Sequence, residues 1–254
     1  MRAFTLAEVL ITLSIIGVVT AMTLPSITAE HKEKTAVVQL KKSYSILEQA
    51  FTQAVNDLGT VDSWCSESDL YDACSDKIFD NIKPYLKSIK ECQRIGGYKP
   101  VCFPIYSRFY NNFSSYNIES WGKSIVLSDG TTFLIKAGNG DGYKSLWCSS
   151  QKNKTGNRYN GNCGYIYIDI NGNKRPNAGG RDVFSFKIFK DGISPAGGPY
   201  DTVWTESFKV KCKREYLNSN SYHLVNCAAW VIYNENMDYL HCDDLSWNGK
   251  TKCK

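Results

Sequence analysis

Phe4-Thr5-Leu6-Ala7-Glu8-Val9-Leu10-Ile11-Thr12-Leu13-Ser14-Ile15-Ile16-Gly17-Val18-Val19-Thr20-Ala21-Met22-Thr23-Leu24-Pro25 is the stretch that sets the layout of the whole chain. No charged residue lies between Glu8 and Glu30. At about 1.5 Å per helical residue that run covers about 31 Å, the thickness of a bilayer's hydrocarbon core. Read as a helix, it spans a membrane. Glu8 then needs a positive partner or a proton, because an unpaired charge in hydrocarbon is costly. A new amino terminus at Phe4, made by removing Met1-Arg2-Ala3, supplies such a partner about one helical turn away. Ser14, Gly17 and Ala21 share one side at small-residue spacing, which lets like helices approach closely.

Beyond Pro25 the apolar positions Val37, Leu40, Tyr44, Leu47, Phe51, Ala54 and Leu58 recur at alternating steps of three and four. This is one helical stripe, with Lys32, Lys34, Lys41, Lys42, Glu48 and Gln49 left for the other faces. Gly59 is the natural stop. Residues 4–58 therefore read as a single long helix, about 80 Å if straight, with a kink at Pro25. Its first half, residues 4–29, is apolar all round and suits lipid or a bundle of identical helices. Its second half, residues 30–58, is one-sided and lays its stripe on the domain formed by residues 60–254.

The cysteines fix the compartment. All ten, Cys65, Cys74, Cys92, Cys102, Cys148, Cys163, Cys212, Cys227, Cys242 and Cys253, lie beyond the apolar run, and none sits in a C-x-x-C pair. Finger and ribbon metal sites want such pairs plus histidine, and the chain has three His. Disulfides are the reading, and they persist in an oxidising compartment, so the head belongs outside the cytoplasm. Arg2 on the inner side agrees, since Lys32 and Lys34 are offset by Glu30 and Glu33. Pairing neighbours in order gives 65–74, 92–102, 148–163, 212–227 and 242–253, the simplest of many connectivities. Loops of that size are worth about 3 kcal/mol each in the chain-entropy model. The net charge of +5 is modest and spread out, which gives no reason to expect a nucleic-acid partner.

From residue 123 the period changes to strands. Residues 124–136 read as a hairpin around Asp129-Gly130; 165–170 and 182–189 read as two more strands, ending at Asn171-Gly172 and Asp191-Gly192. A long helix followed by an antiparallel meander is an α+β layout, here rich in disulfides. Residues 60–122 give less: a short helix over 77–87 interrupted by Pro84, an aromatic loop over 106–116 and no catalytic constellation. Residues 223–233 suit a short helix or a buried strand. Asp169, Asn171 and Asn173 begin like a calcium loop, yet the sixth-position Gly and twelfth-position Glu are missing and Lys174 and Arg175 oppose a cation, which favours a turn linking two strands. Lys209, Lys211, Lys213 and Arg214 alternate as a basic strand face would, either solvated or turned to DNA. No Gly-x-Ser-x-Gly, His-Glu-x-x-His or phosphate loop is present, so no enzyme is expected.

Taken together, the short basic leader, a small residue, then Phe4, Thr5, Leu6 and Glu8 opening an apolar helix with Gly17 and Pro25 resemble the type IV pilin and type II secretion pseudopilin families. The likeness is specific over the first 58 residues and one of layout beyond them; Ala3 stands where the families usually have Gly. It implies a 1–3 leader cut by a prepilin peptidase between Ala3 and Phe4, methylation of the new amino terminus, and pairing of Glu8 with Phe4 in assembly. It also implies a pilin-like head with the helix packed across the sheet, and a place as a minor pilin or pseudopilin. The subunit would sit in the inner membrane and then enter a periplasmic pseudopilus or a surface pilus, with other such subunits as partners. Some pseudopilins hold calcium in a sheet-region loop, which is what gives Asp169, Asn171 and Asn173 their interest. Alternatives are an anchored or secreted binding protein, such as an adhesin or a DNA-capturing subunit, and a membrane-anchored enzyme. An ordinary signal peptide, cut after Val19-Thr20-Ala21, accounts less well for the length of the run and for Glu8 within it.

Overall fold

The computed structural model describes residues 5–66, 69, 71–92, 102, 123–138, 163–172, 174–199, 201, 207–217 and 222–253. One helix, α1 (Leu6–Leu58), takes up the first fifth of the chain. Thr5 caps its start, and at its end Gly59 leaves the helix at φ 83°, a conformation open to glycine, while its N–H still reaches the Val55 carbonyl at 3.0 Å. The helix runs on through position 25; the kink expected at Pro25 falls on a side chain outside the described residues.

The expected stripe is buried almost throughout. Leu40, Leu47, Phe51 and Ala54 are fully buried and Val37 nearly so, and Ala36, Ser43 and Ala50 fill the gaps between them. Tyr44 stacks on Phe186 with ring centroids 5.5 Å apart. Leu58 departs from the expectation: at the last helical position, where the chain turns away, it is 48% exposed.

The sheet that receives this stripe is antiparallel and six-stranded, in chain order β1 (Ser88–Cys92), β2 (Ser124–Leu127), β3 (Thr132–Ala137), β4 (Gly164–Asp169), β5 (Val183–Phe189) and β6 (Gly192–Pro195). Register sets its faces, because alternate residues point to opposite sides. Phe133, Ile168 and Phe184 lie in one cross-strand row and Ile135, Ile166 and Phe186 in the next. That face meets α1 through Tyr44 and joins one core with Ile78 and Phe79 of α2 (Tyr71–Ile82), a helix that starts earlier than the expected residue 77. Pro84 falls in the tight 3₁₀ turn Lys83–Tyr85 that ends it.

The other face carries Leu134, Tyr167 and Ser185 in one row and Lys136, Tyr165 and Lys187 in the next. At β5 it is covered by the tail: the Ser185 hydroxyl lies 2.9 Å from Asn226 Oδ1 and 3.2 Å from the Val225 carbonyl. Residues 223–233 are helical, a 3₁₀ stretch Tyr222–Cys227 followed by α4 (Ala228–Asn234), so the strand alternative falls. Gly197, at φ 82°, lets the tail come this close; a Cβ there would lie 1.8 Å from the Asn226 carbonyl oxygen. Trp230 stacks on Phe208 at 4.0 Å, Trp247 closes on both, and the Tyr239 hydroxyl donates to the Gly180 carbonyl at 2.6 Å.

Four disulfides join the described cysteines in order: Cys65–Cys74, Cys92–Cys102, Cys212–Cys227 and Cys242–Cys253, with Cα separations of 5.4 to 5.9 Å. Cys163 is disulfide-bonded as well, and Cys148 lies outside the described residues. No described cysteine is free.

Candidate functional site

The helix start is built from its own sequence. Thr5 and Glu8 form a capping box: the Glu8 carboxylate accepts from the Thr5 N–H at 2.8 Å and the Thr5 hydroxyl at 2.8 Å, and the Thr5 hydroxyl accepts from the Glu8 N–H at 3.3 Å. The Thr-x-x-Glu spacing before an apolar run signals this role for Glu8, beside the one its charge suggests. Ala3 and Phe4, the expected processing residues, lie outside the described residues. The apolar run beyond Glu8 is bare. Twelve large apolar side chains from Leu6 to Ile27 are 43% to 81% exposed, and by length and composition this half of α1 is able to cross a membrane. At about 1.5 kcal/mol or more per side chain, covering them is worth on the order of 20 kcal/mol. That exceeds the roughly 5–15 kcal/mol stability of an ordinary domain, a large apolar area of the kind found in a membrane anchor or a signal sequence.

The loop between β4 and β5 is organised by Asp182, a residue that no sequence motif marks. Asp182, buried, accepts from the backbone N–H of Asn177 at 2.8 Å and Ala178 at 2.6 Å and from the Asn171 side-chain nitrogen at 3.0 Å. Asp169, fully buried, accepts from the Asn171 N–H at 3.0 Å. Burial, helped by the neighbouring Asp182 carboxylate, pushes Asp169 up to about 8. Burial raises Asp182 too. Of the residues considered for calcium, Asp169 and Asn171 are thus tied into a loop clasp, and Asn173 lies outside the described residues. Among the described residues no three His, Cys, Asp or Glu side chains gather in a cluster that could hold a metal ion.

This loop and α1 enclose a groove of about 640 Å³. Its helical wall is residues 28–39 and its far wall residues 170–182, with Met237 and Leu240 supplying apolar surface from the tail. Lys32, Lys174, Arg175 and Arg181 line it and are exposed.

The basic strand expected at residues 209–214 is absent. Phe208–Lys211 is a turn of helix, α3, in which Phe208 and Lys211 are both buried, and Arg214–Tyr216 is a 3₁₀ turn. Burying Phe208 against Trp230 coils the segment, so the lysines share no strand face. Lys213 and Arg214 lie beside Glu215 and Asp243 at 3.6 and 3.9 Å. The buried cation of the sheet is Lys187, whose ammonium meets Asp201 at 2.7 Å with both side chains under 8% exposed. No motif announced that pair.

A family model described as a family of unknown function, DUF6613, matches residues 26–235, more than half of the chain and all beyond the Phe4–Pro25 motif. No curated protein and no solved structure matches.

Proposed function

We propose, for a chain that belongs to the family of unknown function DUF6613, that it is a structural subunit of a pilin-like helical filament, a minor pilin or a pseudopilin. One observation carries the reading: α1 is a single helix whose second half is cemented to the head while its first half is apolar and bare on every side. A protein built this way has two environments that cover the bare half, a bilayer before assembly and a bundle of identical helices after it. The opening Phe4-Thr5-Leu6-Ala7-Glu8 supports processing by a prepilin peptidase before Phe4, followed by methylation of the new terminus. The disulfides support a head held outside the cytoplasm. The nearest rival is an ordinary secretory signal cut after Ala21.

Intact-mass and N-terminal measurement on protein from its own cells separates the two. The expected mature chain begins at Phe4 and carries one added methyl group. A mature terminus at Met22 would mean a signal peptide and would remove the filament reading.

A further inference from the structure

We propose that the groove between α1 and the β4–β5 loop binds the phosphate of anionic phospholipid headgroups, so that the unassembled subunit's head is seated on the outer face of the membrane that holds its helix. This rests on the reading that residues 9–29 span that membrane. Three observations carry it.

The first is charge. Six ionised or ionisable acid and base side chains, aside from His31, line the groove: Lys32, Lys174, Arg175, Arg181, Glu33 and Asp182. Both acids are engaged elsewhere. Glu33 meets His241 Nε2 at 2.9 Å, and Asp182 is buried under its three donors. The four cations form no ion pair among the described residues, so the groove offers its positive charge outward. Two of the three arginine and lysine positions on the loop are guanidinium groups, which suit a phosphate's paired oxygens.

The second is depth. The groove's helical wall starts at Thr28 and Ala29, the last residues of the uncharged run, and Lys32 comes three residues later, about 4.5 Å along the axis. The headgroup layer adds about 5–7 Å to each side of the hydrocarbon core. Lys32 therefore lies at headgroup height whenever the apolar run is in the core, and the loop cations lie across the groove from it.

The third is shape. The groove closes beneath its charged rim on a packed apolar floor of Ala36, Met237 and Leu240, all buried, so a headgroup's phosphate meets the rim cations without a competing polar group below it. Extraction of the subunit into a filament would break these contacts, so headgroup binding would hold the precursor pool in a fixed orientation until assembly.

The test uses the full chain reconstituted in vesicles of phosphatidylcholine with three parts in ten phosphatidylglycerol, then gentle detergent extraction and a count of the lipids retained on the protein. Wild type should retain phosphatidylglycerol enriched on the order of tenfold over its share in the vesicle. Replacing the four cations together (K32Q/K174Q/R175Q/R181Q) should return the ratio to that of the vesicle, while the charge-keeping set K32R/K174R/R175K/R181K should behave as wild type. Equal enrichment in wild type and the glutamine variant would overturn the proposal. Binding of inorganic phosphate to the detergent-extracted wild type that the glutamine variant lacks, with no phosphatidylglycerol enrichment in the vesicle experiment, would make the groove a site for free phosphate and also overturn it. An alkaline carbonate wash distinguishes the two readings: a chain stripped from the vesicles sinks the membrane span itself, whereas a retained chain with no lipid preference sinks the groove alone.

Discussion

Glu8 accepts hydrogen bonds from the Thr5 amide and hydroxyl, and glutamine at that position keeps an oxygen for the same donors while losing the charge. Glu8→Gln thus spares the helix start and tests the proposed assembly role alone. Membrane insertion and the disulfides of the head should survive, and incorporation into filaments, measured by shearing and immunoblot, should fall severalfold; wild-type incorporation would remove the pairing with Phe4. Asp169 yields a prediction of a different kind. Its folded-state value is raised to about 8, so folding takes up a proton. The stability this contributes is whole below the ordinary carboxylate range and is lost as pH climbs toward 8, at up to about 1.4 kcal/mol per pH unit. Urea unfolding from pH 4 to pH 9 should therefore show Asp169→Asn gaining on wild type as pH rises. A difference that stays flat across that window would assign the titration elsewhere; any slope left in the variant itself belongs first to Asp182, raised by the same burial.

At the scale of elements, α1 is two helices in one, and the boundary is readable in single substitutions. Phe51 is fully buried and stacks beside Trp64, so Phe51→Ala should cost about 3–5 kcal/mol in unfolding. Val38, on the same half-helix but 67% exposed, should change stability by less than about 0.5 kcal/mol when made alanine. Similar costs at the two positions would mean that the helix docks on a different face. In the sheet, Asp201 holds both the Lys187 ammonium and the backbone N–H groups of Gly197 and Gly198, at 2.7 to 3.0 Å. Asp201→Asn would leave Lys187 charged and buried, a loss of about 3–5 kcal/mol by thermal or urea unfolding, and larger than the loss from replacing both partners with apolar residues.

Over the whole molecule, the disulfides are local clasps on a core made by distant parts. Cys242–Cys253 closes the tail whose Trp247 packs on Trp230, and its partners are 11 residues apart. Replacing both with serine should cost about 2–4 kcal/mol and loosen residues 238–253 first, visible as faster amide exchange there than in β3 to β5. Protein folded in an oxidising compartment should also take up no thiol reagent before reduction; several reactive thiols would overturn the pairing in order.

Sequence alone determined what lies within a turn or two of each residue. The uncharged run, the stripe on α1, its end at Gly59, and the alternation of β2 to β5 all come from local period and turn chemistry; the cysteine pairing, open in the sequence, was decided by the structure, which joins partners 9 to 15 residues apart, loops that cost little to close. The two strands that escaped notice, β1 and β6, are the sheet's edges. The first is half exposed with no alternation and the second is four residues long and ends in proline, so neither carries a burial period to read. Tertiary structure decided the rest. It coiled residues 208–211 to bury Phe208, tied the β4–β5 loop to Asp182, and set Lys32 across a groove from Arg181, 149 positions away in the chain. No local pattern encodes such a meeting, because what brings the two cations together is the packing of a helix on a sheet they do not belong to.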